Sequence, residues 1–280
     1  MAEITVSEED FRKFREYFYR KTGIQFESTK RYFVDKRLIE RIEATDSGNF
    51  RGYFMRLRFE ASGQELQTLV NLMTVNETYF FREEYQFKCL VDSMLDDIAQ
   101  HKTDRLPIRI WSIPSSSGEE PYSIVIYLLE HWPGIEKWDV EIISSDIDTD
   151  IIARARRGHY SARSVQYLPP ALLQKYFKPS AGGYQISNNL RDAVEFTRVN
   201  LMEAEEVRAY RNFDVIFCRN LLIYFDDISR RQAADTFFDA LNPHGYVCLG
   251  HSESMSRISS LFRVRKFPEA IVYQKPGGGT

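Results

Sequence analysis

The sequence predicts an α/β protein in which an N-terminal all-α domain precedes a mostly parallel sheet that ends in an antiparallel pair of strands. Up to about residue 100 the apolar side chains recur with helical spacing, whereas after Lys102 short β-rich runs alternate with helical stretches. A third pattern, the prolines and glycines concentrated between residues 160 and 192, predicts an insertion with a helix and a small antiparallel hairpin.

The helical domain is predicted to begin with a capped helix. Ser7 stands three residues before Asp10, the spacing of a reciprocal N-cap, and Phe11 and Phe18 then fall on one face. Gly23 ends this helix. Further helices are predicted at 29–44, with Phe33, Leu38 and Ile42 as its buried stripe, at 50–59 and at 63–73.

The sheet domain is predicted from the runs that follow Lys102. Strands are predicted at 106–113, 140–147, 194–201, 215–218, 245–249 and 262–275, the last being long enough for two antiparallel strands. Helices are predicted at 119–129, 149–156 and 228–241. We therefore divide the chain into a basic helical domain at 1–75, a linker at 76–102, and the sheet domain at 103–280 with its insertion at about 160–192.

Composition and charge disfavour several classes of protein. The 280 residues carry a net charge of −3, so the chain lacks the basic character typical of nucleic-acid binding. Its three cysteines are isolated, which indicates neither a disulfide framework nor a zinc site. An acidic N-terminus without a long apolar run predicts a cytoplasmic protein that does not insert into a membrane, and we expect a monomer.

Residues 76–83, with the sequence NETYFFRE, combine polar side chains with three consecutive aromatic ones at the junction of the two regions. Burying Asn76, Thr78 and Arg82 beside aromatic rings costs free energy unless each finds a partner, so one interpretation is a ligand or a polar network. The other interpretation is the start of a helix, capped by Asn76 or Thr78, with the aromatic rings turned inward.

The first strand runs into a loop of small residues, PSSSG at 114–118, and then into Glu119 and Glu120 at a helix start. In an open α/β sheet, ligands bind at the carboxyl ends of the strands, and small residues let the backbone approach them. Two acids there would repel a pyrophosphate, and the G-x-G-x-x-G and P-loop patterns are absent. The loop therefore favours a cationic ligand, unless the two acids only complement the helix dipole.

Polar residues also end the later strands. Asp146 ends the second strand where an acid would hold a ribose diol, whereas Asp148 is explained as the cap of the helix at 149–156. Asn200 and Arg219 follow two further strands. A ligand that has a ribose and a cationic centre but no phosphate is S-adenosylmethionine.

Four segments in order, NETYFFRE at 76–83, WSIPSSSGEEPYS at 111–123, SDID at 145–148 and CRNLLIYF at 218–225, resemble the CheR family of chemotaxis receptor methyltransferases. The resemblance implies a class I S-adenosylmethionine-dependent methyltransferase fold, which is Rossmann-like. It further implies a protein-glutamate O-methyltransferase (EC 2.1.1.80). Such an enzyme methylates specific glutamate side chains on the cytoplasmic helices of membrane chemoreceptors during chemosensory adaptation, leaving S-adenosyl-L-homocysteine.

The resemblance also implies the site residues. Tyr224 would face the reacting centre, and Arg82 is expected to hold the substrate carboxylate through paired hydrogen bonds. The residues expected around the cofactor are Asn76, Thr78, Arg82, Glu119, Asp146, Asn200, Leu201, Arg219 and Asn220. Glu119 is chosen over Glu120. Where the family commonly has a small turn this chain has residues 113–115, Ile-Pro-Ser, and since proline lacks a backbone donor, contacts to the methionine portion should differ.

The expected substrate fits the residues of the chain. A glutamate carboxylate, with a pKa of roughly 4.3, is already a nucleophile at neutral pH, so this reaction needs neither a general base nor a metal. Residues 12–41 carry ten Lys or Arg against four acids, which predicts either a solvated face or a surface that steers a glutamate-bearing helix. Because the insertion is short, we expect independence of the receptor C-terminal pentapeptide that some relatives bind by strand addition.

Two alternatives stay open. The first is a methyltransferase that acts on nucleic acid or a small molecule, although the Asn/Asp-Pro-Pro-Tyr/Phe motif of amino-methylating enzymes is replaced here by RNLL at 219–222. The second is a protein that binds the cofactor or a receptor without catalysis, as a sensor or scaffold. Candidate residues at every expected site position disfavour the second.

Overall fold

The computed structural model describes residues 4–102 and 106–277, so the predicted domain start at 103 lies outside the described residues. The described strands are β1 (Ile108–Ser112), β2 (Val140–Asp146), β3 (His159–Tyr160), β4 (Phe177–Ser180), β5 (Gly183–Ile186), β6 (Val194–Arg198), β7 (Phe213–Cys218), β8 (Leu241–Leu249), β9 (Arg263–Lys266) and β10 (Ile271–Gln274). Seven form one sheet in the order β6-β2-β1-β7-β8-β10-β9, in which β10 is antiparallel to both of its neighbours. The predicted parallel sheet with a terminal antiparallel pair is confirmed.

The helices surround this sheet or precede it. They are α1 (Glu8–Thr22), α2 (Arg31–Ala44), α3 (Phe50–Phe59), α4 (Gln64–Met73), α5 (Tyr85–Cys89), α6 (Leu95–His101), α7 (Glu119–His131), α8 (Thr149–Arg157), α9 (Ala162–Val165), α10 (Pro170–Tyr176), α11 (Asn188–Asp192), α12 (Ala204–Val207) and α13 (Asp227–Ala240). Within the two described ranges, no helix combines the length and the apolar character that crossing a membrane requires.

The insertion forms a second, three-stranded antiparallel sheet in the order β3-β5-β4. The predicted hairpin is β4 and β5, and the short strand β3 adds to it from the end of α8. Local sequence could not indicate β3, because two residues acquire strand geometry only by pairing with β5.

Helix α1 starts and ends as its sequence predicts. The Ser7 Oγ accepts a hydrogen bond from the Asp10 backbone N–H at 3.1 Å, and the Ser7 N–H donates to the Asp10 carboxylate at 3.3 Å. Gly23 ends the helix in the left-handed region at φ 71°. The cap satisfies backbone donors that would otherwise have no partner inside the helix.

The predicted buried stripe of α2 is wrong at one position. Val34, Leu38 and Ile42 are fully buried, whereas Phe33 is only partly buried. The spacing of four residues between Val34, Leu38 and Ile42 keeps one face of the helix toward the core, and Phe33 lies about 100° around the helix axis from Val34. Phe33 therefore points away from the direction in which the buried stripe of α2 faces the core.

Residues 76–102, predicted as a linker, contribute to the core on one face of the sheet. Helices α5 and α6 are joined by a π-helical turn at Leu90–Met94, and most of their apolar side chains are buried. Phe80 is fully buried and meets Tyr160 and Phe177 edge to face, at ring-centroid distances of 4.8 and 5.1 Å. This segment thus packs against both the main sheet and the inserted sheet.

Hydrogen bonds join the helical region to the carboxyl edge of the sheet. The Gln67 side chain donates to the Ile147 carbonyl at 2.8 Å. The Asn71 side chain donates to the Thr149 hydroxyl at 2.8 Å and accepts from its backbone N–H at 3.1 Å. Helix α4 is thereby fixed at the start of α8, beside the end of β2.

Candidate functional site

A cleft lies at the carboxyl edge of the sheet, where the loops after β1 and β7 diverge to opposite sides. This is the topological switch point at which open α/β sheets bind ligands. The cleft has two lobes with volumes of about 270 and 170 Å³. Both lobes are lined by Val75, Asn76, Pro114, Asn220 and Tyr224. These five residues mark the boundary between an apolar lobe and a polar lobe.

The apolar lobe is lined mainly by hydrocarbon and aromatic side chains. The segments that follow strands β1 and β6 supply Ile113, Val199 and Leu201. The helical region supplies further apolar side chains of the lining. Among the described lining residues, Lys30 and Asp146 are the charged ones. Such a cavity favours a flat, weakly polar ring system that presents hydrogen-bonding groups at one point.

Asp146 is buried at the end of β2, and its oxygens accept from two backbone donors. The Ser116 N–H donates at 2.9 Å and the Asp148 N–H at 3.0 Å. Burial raises the pKa of Asp146 to about 6, although the backbone hydrogen bonds act in the opposite direction. A carboxylate has more lone pairs than these two bonds occupy, so Asp146 can also accept from ligand hydroxyls.

The polar lobe is organised around Arg219, whose side chain is 2% exposed. Its guanidinium pairs with Glu120 at 3.0 Å and Glu83 at 3.5 Å, and it also donates to the Arg82 carbonyl. Phe87 lies beneath it at 5.3 Å from the ring centroid. The Arg219 Nε is buried without a partner in the described residues, so the guanidinium retains donor capacity for a ligand.

The geometry favours Glu120 over Glu119, the reverse of the expectation from sequence. Glu120 lines the polar lobe, where it accepts from the Ser112 hydroxyl at 2.9 Å and pairs with Arg219. Glu119 lines neither lobe; its buried carboxylate accepts from the Ser117 hydroxyl at 2.7 Å. Successive helical residues point about 100° apart, so only one of the two acids can face the cleft.

The polar network anticipated for residues 76–83 is present. Asn76 donates to the Asp148 carboxylate at 2.9 Å, and Thr74 donates to the same carboxylate at 2.6 Å. Asp148 also caps α8, as predicted. The helix-start interpretation is wrong for Asn76 and Thr78, because the next helix, α5, begins at Tyr85, although Phe80 and Phe81 do turn inward.

Arg82 and Thr78 both line the polar lobe. Arg82 donates to the Glu77 carbonyl at 2.9 Å. Tyr224 lines the same lobe at its boundary, and burial raises the pKa of its hydroxyl, while the nearby charge of Arg82 opposes that rise. The two predicted reacting-centre residues are therefore close enough to interact electrostatically.

Asn200 and Leu201 follow β6 and line the apolar lobe. The Asn200 amide donates to the Lys21 carbonyl at 2.6 Å and its oxygen accepts from the Met202 N–H at 3.0 Å. Asn220 lines both lobes after β7. Each predicted residue except Glu119 thus lines the cleft.

Strained backbone concentrates around this cleft. Seven non-glycine residues of the described chain have positive φ, and four of them, Phe81, Glu83, Ser116 and Asn220, lie in the segments that form the polar lobe. Such conformations cost free energy and persist where surrounding contacts enforce them, commonly at ligand sites. The strain therefore supports the assignment of this cleft as the functional site.

Two carboxylates that sequence reasoning missed hold these segments in place. Glu253 accepts from the Asn220 N–H at 2.9 Å and the Gly250 N–H at 2.8 Å, joining the ends of β7 and β8. Glu83 pairs with Arg219 from the opposite side to Glu120. The partners of both carboxylates are distant in sequence. Local sequence patterns therefore could not identify Glu253, and Glu83 was identified only as a member of residues 76–83.

The charges and shape of the cleft fit one chemical class of ligand. The apolar lobe suits an aromatic base with a diol at Asp146, and the polar lobe suits an amino acid's ammonium and carboxylate groups at Glu120 and Arg219. S-Adenosylmethionine has this division, with its sulfonium between the two ends.

Comparison with known proteins agrees with this fit. A family model described as CheR methyltransferase, SAM binding domain, matches residues 76–271, and one described as CheR methyltransferase, all-alpha domain, matches residues 9–74. Chemotaxis protein methyltransferase 2 of Vibrio cholerae is 59% identical over 280 residues, spanning 100% of this chain and 97% of that protein. Chemotaxis protein methyltransferase 2 of Pseudomonas aeruginosa is 38% identical, spanning 93% and 92%. Chemotaxis protein methyltransferase of Salmonella typhimurium is 35% identical, spanning 94% and 89%.

Proposed function

The chain belongs to the CheR family of S-adenosylmethionine-dependent methyltransferases, and from that premise we propose that it converts specific glutamate side chains on the cytoplasmic helices of chemoreceptors into methyl esters (EC 2.1.1.80). The observation that carries the proposal is the cleft with its apolar and oppositely charged polar lobes, in a chain similar to chemotaxis methyltransferases over its full length.

The two lobes suggest how the cofactor lies. Its adenosine occupies the apolar lobe with the ribose hydroxyls on Asp146, and Asn200 and Leu201 lie beside it. Its ammonium and carboxylate lie between Glu120 and the unpartnered donor of Arg219. This arrangement places the sulfur at the boundary, near Asn220 and Tyr224.

When bound, S-adenosylmethionine supplies a methyl group activated by the positive sulfur. The substrate glutamate is ionised at neutral pH, so its carboxylate oxygen forms the new bond to carbon as the carbon–sulfur bond breaks, and no proton is transferred. The residues of the cleft thus need only to position and desolvate the carboxylate. We assign carboxylate binding to Arg82 and orientation at the boundary to Tyr224.

The rim of the polar lobe can remove water from the substrate carboxylate. Val75, Ile223 and Tyr224 line it and are each more than one third exposed, so they present apolar surface to an incoming substrate helix. Covering these side chains with substrate removes water from the boundary between the lobes. A carboxylate that has lost its water shell beside a positive sulfur is a stronger nucleophile than one in bulk water.

The basic helices of residues 12–41 are proposed to steer the acidic receptor helix toward this rim. Steering of this kind acts through exposed charges and is screened by salt. Methylation should therefore slow several-fold between low and physiological salt, whereas a rate that does not change with salt contradicts steering.

We also propose that methylation is independent of a receptor C-terminal pentapeptide. The loop between β4 and β5 consists of Ala181 and Gly182 alone. Such a short loop offers few residues that could contact a peptide docked beside the inserted sheet. Tight binding of such a peptide in calorimetry contradicts this part of the proposal.

The decisive experiment uses labelled S-adenosylmethionine with membranes that contain candidate receptors. A methyl ester releases its label as methanol when base is added, because hydroxide cleaves the ester bond. Label that is incorporated but stable to base indicates methylation of nitrogen and overturns the glutamate assignment. If the label is transferred to nucleic acid or to a small molecule and not to the receptor, the alternative substrates are indicated.

A further inference from the structure

Glu253 lines neither lobe of the cleft, but its carboxylate is bonded to the segment that ends at Tyr224. That segment follows β7 and consists of Asn220 and the 3-10 turn Leu222–Tyr224. We infer, resting on the role proposed for Tyr224 above, that Glu253 is a positioning residue for methyl transfer. It acts by holding this segment in the conformation that turns the Tyr224 side chain toward the reacting centre.

A tight turn after β8 brings Glu253 to this segment. Strand β8 ends at Leu249, and the Glu253 N–H donates to the Gly250 carbonyl at 2.9 Å, which closes a turn over residues 250–253. Strands β7 and β8 are parallel neighbours in the sheet. The turn after β8 therefore lies beside the residues that follow β7, and the Glu253 carboxylate reaches Asn220.

Backbone N–H groups surround the Glu253 carboxylate. One of its oxygens accepts from the Asn220 N–H at 2.9 Å and from the Gly250 N–H at 2.8 Å, and the other forms no hydrogen bond within the described residues. Burial raises the pKa of Glu253, whereas these two N–H groups and those of Leu222 and Ile223 act in the opposite direction. The carboxylate thus stabilises the first N–H groups of the 3-10 turn, which have no partner inside the turn.

The backbone of Asn220 needs such support because it is strained. Its φ of 59° lies in the left-handed region, which costs free energy for a residue with a side chain, although Asn tolerates it better than most. The bond from its N–H to Glu253 holds Asn220 in that conformation, from which the chain enters the 3-10 turn. Without the carboxylate, residues 220–224 should relax toward ordinary backbone conformations.

Gly250 permits the close approach of the two strand ends. A Cβ at this position would lie 2.8 Å from the Asn220 side-chain nitrogen and 2.9 Å from the Glu253 carboxylate oxygen, which is closer than real Cβ contacts. Because only glycine leaves room for both groups, the turn after β8 and the segment after β7 pack as one unit.

The direction of the Tyr224 side chain depends on this backbone. Tyr224 is 38% exposed, so packing alone does little to fix its ring, and Glu253 holds the chain four residues before it. A displacement of about 1 Å at a group that positions substrate costs on the order of a hundredfold in rate. Loss of Glu253 should therefore reduce kcat more than it reduces cofactor binding.

The test is a double-substitution cycle on the full chain, measured as transfer of label from S-adenosylmethionine to receptor membranes. Glu253→Ala should lower kcat roughly ten- to a hundredfold, with less than about a threefold change in the affinity for S-adenosylhomocysteine. In a Tyr224→Phe background, Glu253→Ala should lower kcat by less than about threefold, because the group that it positions is already gone. Equal losses of kcat in the two backgrounds overturn the inference.

Asp214→Ala is the matched control. Asp214 is likewise a carboxylate that joins neighbouring strands, since it accepts from the Arg109 N–H at 2.9 Å and from the Asn242 side chain at 2.7 Å, but it lies at the amino edge of the sheet. Its replacement should lower the temperature of unfolding and leave kcat unchanged below that temperature. A loss of kcat as large as that of Glu253→Ala means that both carboxylates act through stability alone, which overturns the inference.

Hydrogen exchange followed by mass spectrometry measures the segment directly. In Glu253→Ala, peptides that contain residues 220–224 should exchange several-fold faster than in wild type, because their backbone opens more often. Peptides from α4 should keep the wild-type rate. Unchanged exchange of residues 220–224 overturns the inference and leaves the proposed function intact.

Failure of the proposed function gives a different result. If wild-type protein transfers no base-labile label to receptor, the methyl-ester proposal fails and the inference fails with it. If wild type is active and Tyr224→Phe keeps the wild-type kcat, the role of Tyr224 is wrong; the inference is then overturned while the methyl-ester assignment stands.

A milder substitution covers the case in which Glu253→Ala does not fold. Glu253→Gln keeps one acceptor oxygen but replaces the other with an NH₂ group, which cannot accept from the N–H groups of Leu222 and Ile223. A folded Glu253→Gln variant with wild-type kcat overturns the inference. A several-fold loss of kcat that disappears in the Tyr224→Phe background supports it.

Discussion

The two lobes of the cleft are built in opposite physical ways. The apolar lobe brings surfaces of two domains together around a single buried carboxylate, Asp146. The polar lobe instead buries an arginine between two carboxylates, Glu120 and Glu83. The free energy contributed by apolar contacts falls gradually as side chains become smaller, because it scales with the buried apolar area. A buried charge that loses its partner instead costs several kcal/mol in a single substitution. Substitutions should therefore have graded effects in one lobe and abrupt effects in the other.

The largest effect is expected from Arg219→Met, which leaves two largely but not fully buried carboxylates without this cation. The free energy of unfolding should fall by about 3–5 kcal/mol, as measured by urea denaturation. The loss should be smaller at pH 5 than at pH 8, because burial raises the pKa of Glu120 and its protonation relieves the repulsion between Glu120 and Glu83.

A triple variant sharpens that result. Combining Arg219→Met with Glu120→Gln and Glu83→Gln removes the whole set of charges, and much of the lost stability should return. If Arg219→Met alone lowers the free energy of unfolding by less than about 1 kcal/mol, the ion pairs of Arg219 contribute no more than exposed ion pairs do.

The next effect is expected on turnover. Arg82→Ala should reduce methylation of receptor roughly a hundredfold by removing the group proposed to position the carboxylate, with a much smaller change in the affinity for S-adenosylhomocysteine. Arg163→Ala is the control, since Arg163 forms an exposed ion pair with Glu77 but does not line the cleft. Unchanged turnover of Arg82→Ala removes Arg82 from the reaction.

The adjacent glutamates provide a test within the polar lobe. Glu120→Gln should weaken binding of S-adenosylhomocysteine by roughly ten- to a hundredfold, because it removes a charged acceptor for the ammonium group. Glu119→Gln should change the affinity less than about threefold, since Glu119 bonds Ser117 away from the cleft. Calorimetry of the two variants decides between the positions, and the reverse pattern restores the choice made from sequence.

The smallest effect is expected from pH in the apolar lobe. The pKa of Asp146 is raised to about 6, so the carboxylate gains a proton as pH falls from 7.5 to 5 and loses acceptor capacity for ribose hydroxyls. Affinity for S-adenosylhomocysteine should fall several-fold over that range, and Asp146→Asn should remove the dependence. Protonation relieves a buried charge, so this group's contribution to folding stability changes in the opposite direction. An equal pH dependence in wild type and variant assigns the titration elsewhere.

Sequence patterns anticipated several polar residues of the cleft because those residues lie at the ends of strands. Asp146 ends β2, Asn200 lies two residues after β6 and Arg219 directly follows β7, and parallel strands bring their carboxyl ends to one edge. The geometry favours Glu120 over Glu119, and the sequence could not separate the two because the choice depends on the rotation of α7 about its axis. The partial exposure of Phe33 was missed for the same reason, because its helical spacing placed it in the predicted buried stripe of α2.

The family, the strands of the main sheet and the helices of the N-terminal domain could be read from the sequence, as could several polar residues that line the cleft, since these depend on local periodicity and on residues adjacent in the chain. Which side chains meet depends on tertiary packing. Arg219 pairs with Glu83 and Glu120 from separate segments, and Phe33 reaches the apolar lobe from the other domain. Such contacts depend on helix rotation and domain packing, which are fixed by the burial of many distant side chains together.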